Sequence, residues 1–119
     1  MEFAHSEFKG PDGVERTVTI DWYSLSGVTG TQNANHNRDL DGHGTHCAGV
    51  IGAEHNSIGI AGVNASVKIL PIKFLKDSGG GTLEGALKAI DYAVARGVHI
   101  MSNSWGGGGR SQALYEAIE

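Results

Sequence analysis

The sequence has 119 residues, a formal net charge of −4 and 39% hydrophobic residues. This length allows one domain, and the composition argues against a disordered or membrane-embedded chain. The acidic balance offers no basic surface for nucleic acid, and the single cysteine excludes an internal disulfide framework.

The predicted elements begin with a strand over residues 14–23, VERTVTIDWY, where β-branched and aromatic residues alternate with polar ones. Residues 24–42 read as a long polar loop, a feature that in compact domains is usually functional or disordered. Helical spacing of apolar residues then predicts a helix over residues 43–54. Glycine costs about 1 kcal/mol relative to alanine inside a helix, so the glycines of this segment predict close packing against other backbone.

Residues 67–75, VKILPIKFL, read as an apolar strand, although Pro71 lacks the N–H that a central strand needs. A second helix is predicted from the N-cap Thr82 to Arg96, with Gly97 as its C′ residue. Its predicted apolar face consists of Leu83, Ala86, Leu87, Ile90, Ala93 and Val94. Residues 98–104 read as another strand, and a further amphipathic helix with Leu114, Ala117 and Ile118 on one face is predicted near the end.

Strand, helix and strand in this order predict a right-handed crossover between parallel strands. The expected fold is α/β, with an open, mostly parallel sheet flanked by helices. Sites in such sheets lie outside the carboxyl ends of the strands. The Gly-rich segments KDSGGGT and SWGGGG both follow predicted strands, so we expect them to lie at one edge of the molecule.

His43 is predicted to begin the first of these helices. The positive end of the helix dipole disfavours an imidazolium there, so we expect a neutral ring that can accept a proton as a general base. A role limited to capping the helix is the alternative. Asp41 is expected to shape the turn into the helix.

The segments HGTHCAG, NSIGIAG and SWGG together resemble the subtilisin-like serine proteases (subtilases, peptidase family S8). The resemblance implies a three-layer α/β fold, cleavage of polypeptide substrates, and usually secretion, although MEFAHSEFKG shows no signal-peptide pattern. It also implies that His43 is the general base of a triad in the chain order Asp, His, Ser.

The same resemblance implies that residues 1–119 are a partial catalytic domain. MEFAHSEF is similar to the piece that follows the family's catalytic Asp, and no Gly-Thr-Ser segment for the nucleophile is present. We therefore expect the chain alone to be inactive. Asp21 is a poor substitute acid because no Gly follows it. A truncated, non-catalytic product or binding module remains an alternative, and no oligomeric state is predicted.

A metal hydrolase that uses His43 and His46, with Cys47 as a third ligand, is another alternative. Its spacing differs from the His-Glu-x-x-His pattern of metalloproteases, and no fourth ligand is evident. We instead expect His46 to be a buried, hydrogen-bonded imidazole and Cys47 a small buried apolar residue.

The segment EHNSIGI resembles the loop with which many subtilisins hold a structural Ca²⁺. The implied ligands are the carbonyls of Glu54, Ile58 and Ile60, the amide oxygen of Asn56 and the carboxylate of Glu7. Oxygen ligands in an irregular loop suit calcium. A plain surface turn is the alternative.

The resemblance also places Ser104, Trp105 and Gly106 at the edge where an extended peptide pairs by β-addition. Gly79 to Gly81 would form the facing rim. Trp105 stands where the family often has Leu, so we expect it to narrow or reshape a pocket. The alternative for both glycine runs is a flexible turn.

Overall fold

The computed structural model describes residues 23–24, 39–64 and 66–119. Within these residues the chain forms three helices and one pair of two-residue strands. In chain order the elements are β1 (Tyr23–Ser24), α1 (His43–Gly52), β2 (Ile72–Lys73), α2 (Leu83–Ala95) and α3 (Gln112–Ile118). The two strands pair in parallel, with Tyr23 opposite Ile72 and Ser24 opposite Lys73.

Helix α1 begins at the predicted residue and packs through its glycines. Gly52 is buried, and a Cβ on it would lie 2.8 Å from the Val67 side chain. A Cβ on Gly62, in the following loop, would collide with the backbone of Gly52 and Ala53. The predicted close approach of other backbone to this helix is therefore confirmed.

The loop after α1 also completes the helix end, which stops at Gly52 rather than at residue 54. The last carbonyls of a helix lack partners within it. The N–H groups of Val63 and Asn64 donate to the carbonyls of Val50 and Ile51, each at 3.0 Å. The returning loop thus supplies the C-terminal hydrogen bonds.

Helix α2 has the predicted caps at both ends. The Thr82 side chain accepts a hydrogen bond from the Gly85 N–H at 3.0 Å. At the other end Gly97 has a φ of 68° and donates to the Val94 carbonyl, while Val98 donates to that of Ala93. These two bonds form a Schellman motif, which requires a residue such as glycine that tolerates positive φ.

The buried face of α2 differs from the predicted one. Leu83 and Val94 are 48% and 60% exposed, whereas Ala89, which was not assigned to the face, is 8% exposed. The buried stripe consists of Ala86, Ala89, Ile90 and Ala93. At 100° per residue these four lie on one narrow arc, and Leu83 and Val94 fall on its flank.

The predicted strands are the least accurate part of the sequence analysis. Of residues 67–75 only Ile72–Lys73 form a strand, directly after Pro71, with β1 as their partner, and Ile69 forms an isolated bridge. Residues 98–104 form no strand, and Ile100 is 86% exposed. The predicted crossover between these two segments is therefore wrong for the described residues. Of the predicted strand 14–23, only Tyr23 lies within them.

Helix α3 is present where the sequence predicted it, and it packs against α2. Leu114 and Ala117 are half-buried, but Ile118 is 67% exposed. In the part of the chain that the structure describes, no helix has the length and apolar character to cross a bilayer.

Candidate active site

The start of α1 is organised by Asp39. Gly42 occupies the N-cap with a φ of 89° and has no side chain to offer. Asp39 supplies the capping side chain instead. Its carboxylate accepts hydrogen bonds from the N–H of Gly42 at 2.9 Å and from the N–H and hydroxyl of Thr45 at 2.8 and 2.7 Å. A carboxylate also suits the positive end of the helix dipole.

These bonds stabilise the ionised form of Asp39. Partial burial acts to raise the pKa of its carboxyl, but the hydrogen bonds from Thr45 and Gly42 outweigh that effect and lower the pKa to about 2 from the ordinary 3.8. Asp39 is therefore a carboxylate at any pH near neutrality and holds the turn that leads into His43.

His43 is the first residue of α1, as predicted, and its side chain is exposed. Its backbone N–H donates to the Asp41 carboxylate at 3.3 Å, which agrees with the expected role of Asp41 in the turn. The His43 Nε2 lies 3.8 Å from the Cys47 sulfur. An exposed imidazole at a helix start is accessible to a reacting group, which a general base requires.

Two predictions for the neighbours of His43 are wrong. His46 is exposed rather than buried, and Cys47 is half-buried. The reason is helical geometry, since Ala48, Gly49 and Gly52 form the buried face, His43 lies opposite it and His46 lies on its flank.

A metal centre on α1 gains no support from the described residues. Across residues 39–64 and 66–119, His, Cys, Asp and Glu side chains nowhere converge in a group of three or more that could hold a metal ion. His43 and His46 therefore have no third ligand within those residues.

The calcium-like loop contains several oxygens of the expected kind. The Asn56 side-chain oxygen accepts from the Ile58 N–H at 3.0 Å, and the Glu54 carbonyl accepts from the Asn56 N–H at 3.1 Å. A carbonyl or amide oxygen has two acceptor lone pairs. The Ile58 and Ile60 side chains are exposed, whereas Glu54 is only 4% exposed. Glu7 lies outside the described residues, as does Asp21.

The two Gly-rich segments meet through Phe74. The Phe74 and Trp105 rings pack edge to face, with centroids 5.0 Å apart. A Cβ on Gly81 would lie 3.2 Å from the Phe74 carbonyl and 2.7 Å from the Leu75 side chain. These contacts bring the neighbourhoods of the two segments together, but residues 98–104 form no strand in the described structure, so a common sheet edge stays a prediction.

The remaining residues of this edge are exposed. They are Gly79, Gly80, Ser104 and Gly106. The first two have φ values of 79°, within a turn closed by the hydrogen bond from the Lys76 N–H to the Gly80 carbonyl at 3.0 Å.

Sequence reasoning missed Asp77 as a link between this edge and the entry to α1. Lys73 forms an ion pair with Asp77 at 2.8 Å. The Lys73 ammonium holds the pKa of Asp77 below its ordinary value, and a hydrogen bond from the Leu40 backbone acts in the same direction. The only sequence signal was a lysine and an aspartate four residues apart, which does not reveal a distant backbone partner.

Comparison with known proteins identifies the class. The family model described as the subtilase family, peptidase family S8, matches residues 17–119. The chain belongs to this family, whose members are serine proteases.

Individual relatives agree. The chain is 40% identical over 81 residues to the minor extracellular protease Epr of Bacillus subtilis (strain 168), covering 68% of this chain and 13% of that protein. It is 35% identical over 95 residues to subtilisin DY of Bacillus licheniformis, covering 80% and 35%. To an intracellular serine protease of Paenibacillus polymyxa it is 39% identical over 82 residues, covering 69% and 25%. The chain thus spans well under half the length of these relatives.

Proposed function

We propose that the protein is a subtilisin-type serine endopeptidase in which His43 is the general base. The observation that carries the proposal is the exposed imidazole of His43 at the first position of α1, in a chain that belongs to the subtilase family. In this role the imidazole takes the proton of a serine hydroxyl during attack on a peptide carbonyl and returns it to the leaving amine.

The substrate edge contributes binding rather than chemistry. An extended polypeptide pairs with exposed backbone at Ser104 to Gly106, and Gly79 and Gly81 form the opposite rim. Glycine suits these places because a substrate backbone approaches closely. Trp105 supplies a side-chain wall at the same edge.

In this proposal residues 1–119 contribute part of a catalytic domain with a three-layer, mostly parallel sheet. The 119 residues contain no Gly-Thr-Ser segment, so the nucleophile comes from outside them and the chain alone does not turn over substrate. Loss of triad members lowers the rate by several powers of ten.

The test compares His43→Ala with His46→Ala in a longer form of the protein that hydrolyses casein. Both histidines are exposed on α1, so the two changes are matched structurally. We expect His43→Ala to lower kcat/KM by about 10³-fold or more, and His46→Ala to leave it nearly unchanged. Equal losses would contradict the role of His43, and zinc-dependent activity lost with His46→Ala would favour the metal hydrolase.

A second measurement uses the 119-residue chain. A serine-directed fluorophosphonate should not label it, and casein should not be cleaved by it. Covalent labelling would show that these residues contain their own nucleophile.

We propose also that the 54–60 loop binds a structural Ca²⁺ through the carbonyls of Glu54, Ile58 and Ile60, the amide oxygen of Asn56 and the carboxylate of Glu7. The loop's carbonyl and amide oxygens are the ligand type that calcium prefers. When bound, the ion would fix the loop that closes the end of α1.

Asn56→Ala tests this site, with Asn64→Ala as its control. Both asparagines accept a backbone N–H two residues ahead, from Ile58 and Ser66 respectively, so both changes remove a similar turn. We expect Ca²⁺ to raise the unfolding temperature of the wild type and of Asn64→Ala but not of Asn56→Ala. Equal responses of the two variants to Ca²⁺ would contradict the proposed calcium site.

Secretion is the compartment that we propose. The names of the relatives include both an extracellular and an intracellular protease. Proteolytic activity in the medium of the producing organism, absent when the gene is deleted, supports secretion, and activity confined to the cell contradicts it.

A further inference from the structure

Phe74 is the side chain that joins the two Gly-rich segments. On one side its ring packs against Trp105, with an interplanar angle of 77°. The same ring also lies close to two glycines, since a Cβ on Gly81 would lie 3.4 Å from its Cδ2 atom and a Cβ on Gly85 would lie 3.6 Å from it. The ring therefore contacts both the turn that leads into α2 and the segment that contains Trp105.

The aromatic pair is better covered than the backbone that it connects. Phe74 and Trp105 are half-buried, whereas Gly79, Gly81 and Gly106 are exposed. Aromatic side chains are rigid, having two side-chain torsions, and edge-to-face contact is one of their preferred arrangements. A rigid pair can hold two glycine segments, which are flexible by themselves, at a fixed separation.

We propose that Phe74 is a positioning residue that sets the separation between Gly79–Gly81 and Ser104–Gly106, and so restricts this edge to peptides with small side chains at one position. The inference rests on the proposed function only in that an extended polypeptide binds there. Two large rings fill space that a bulky substrate side chain would need. Removing the Phe74 ring lets Trp105 move and admits larger side chains.

Trp105 fluorescence measures the binding step without catalysis. The sequence has two tryptophans, so Trp22→Phe leaves Trp105 as the single reporter. The probes are a blocked alanine pentapeptide and five derivatives, each with one alanine replaced by phenylalanine. In the Trp22→Phe background, the chain with Phe74 intact should bind the alanine peptide more tightly than the derivative whose phenylalanine falls at the restricted position.

Phe74→Leu should reduce that preference by about tenfold, the lower end of the selectivity that one methylene group in an apolar pocket produces. Leu114→Ala is the control, because Leu114 is also half-buried but lies on α3. It should leave the preference unchanged. Phe74→Met, which keeps most of the volume but not the ring, tests the same loss of preference if Phe74→Leu does not fold.

Three results would overturn the inference. They are an unchanged peptide preference in a folded Phe74 variant, an equal loss of preference in Leu114→Ala, and no change in Trp105 fluorescence with any peptide. Hydrolysis by the longer protein is measured separately with the same peptides. Absence of peptide selection in the protein with an intact Phe74, together with intact hydrolysis, contradicts the role of Phe74, whereas selection without hydrolysis contradicts the catalytic proposal alone.

Discussion

At the scale of single residues, Asp39 shows how a helix start can be capped from a distance. The usual capping pattern places an oxygen-bearing side chain at the N-cap itself. Here that position is Gly42, and the oxygen comes from Asp39, which accepts from Thr45 at 2.8 Å. The sequence showed an aspartate ahead of the helix but not which of its neighbours would reach the free N–H groups.

Asp39→Ala should lower the free energy of unfolding by about 1 kcal/mol, the usual cost of removing a helix cap. Asp41→Ala is the control, because Asp41 makes only a longer, exposed bond of 3.3 Å to the His43 N–H. Urea unfolding followed by circular dichroism measures both. A larger loss from Asp41→Ala would show that Asp41 is the capping residue.

The pKa of Asp39 predicts an acid-sensitive contribution to stability. Because folding lowers this pKa to about 2 from 3.8, the contribution is present above pH 3.8 and is lost as the pH falls through about 2. The free energy of unfolding of the wild type should therefore fall more steeply over this range than that of Asp39→Asn, which cannot titrate. Parallel curves in urea titrations at several pH values would contradict the assignment.

At the scale of elements, helices were predictable because their signals are local. The Thr82 cap, the Gly97 terminus and the apolar spacing between them all act within a few residues of one another, and α2 appears with those ends. The glycines of α1 predicted close contact, but not that Gly62 would supply the opposing backbone. That partner is ten residues from Gly52, beyond the reach of helical periodicity.

Gly62→Ala should destabilise the chain by about 1–3 kcal/mol, as overpacking does, because the atoms that a Cβ meets belong to the backbone of Gly52 and Ala53 and have little freedom to move. Gly109→Ala should be nearly neutral, since a Cβ there has open space around it. Denaturant midpoints of the two variants decide this, and a neutral Gly62→Ala would mean that the loop is not packed against α1.

At the scale of the whole molecule, the sheet is the element that the sequence placed least well. A strand is defined by hydrogen bonds to a partner that lies far away in the chain. Residues 98–104 have the composition of a buried strand, yet in the described structure they are unpaired and Ile100 is 86% exposed. The contact between Phe74 and Trp105 was likewise not predictable from local sequence, because it joins segments about thirty residues apart.

Hydrogen exchange should distinguish these segments. In the 119-residue chain we expect slow exchange for the buried turns of α2, residues 86–93, and fast exchange for residues 98–104, because unpaired backbone amides exchange freely. In a longer form that contains the rest of a subtilase domain, residues 98–104 should become protected. Exchange that stays fast there would contradict the three-layer sheet proposed for the whole protein.

The sequence by itself determined the helices, the caps of α2, the position of His43 at a helix start and the family, since these depend on neighbours within a turn or on short motifs. Only the tertiary structure decided which residues are covered: His46 is exposed, Ala89 is buried, and Phe74 connects two glycine segments. The physical reason is that burial and strand pairing depend on surfaces brought together from distant parts of the chain.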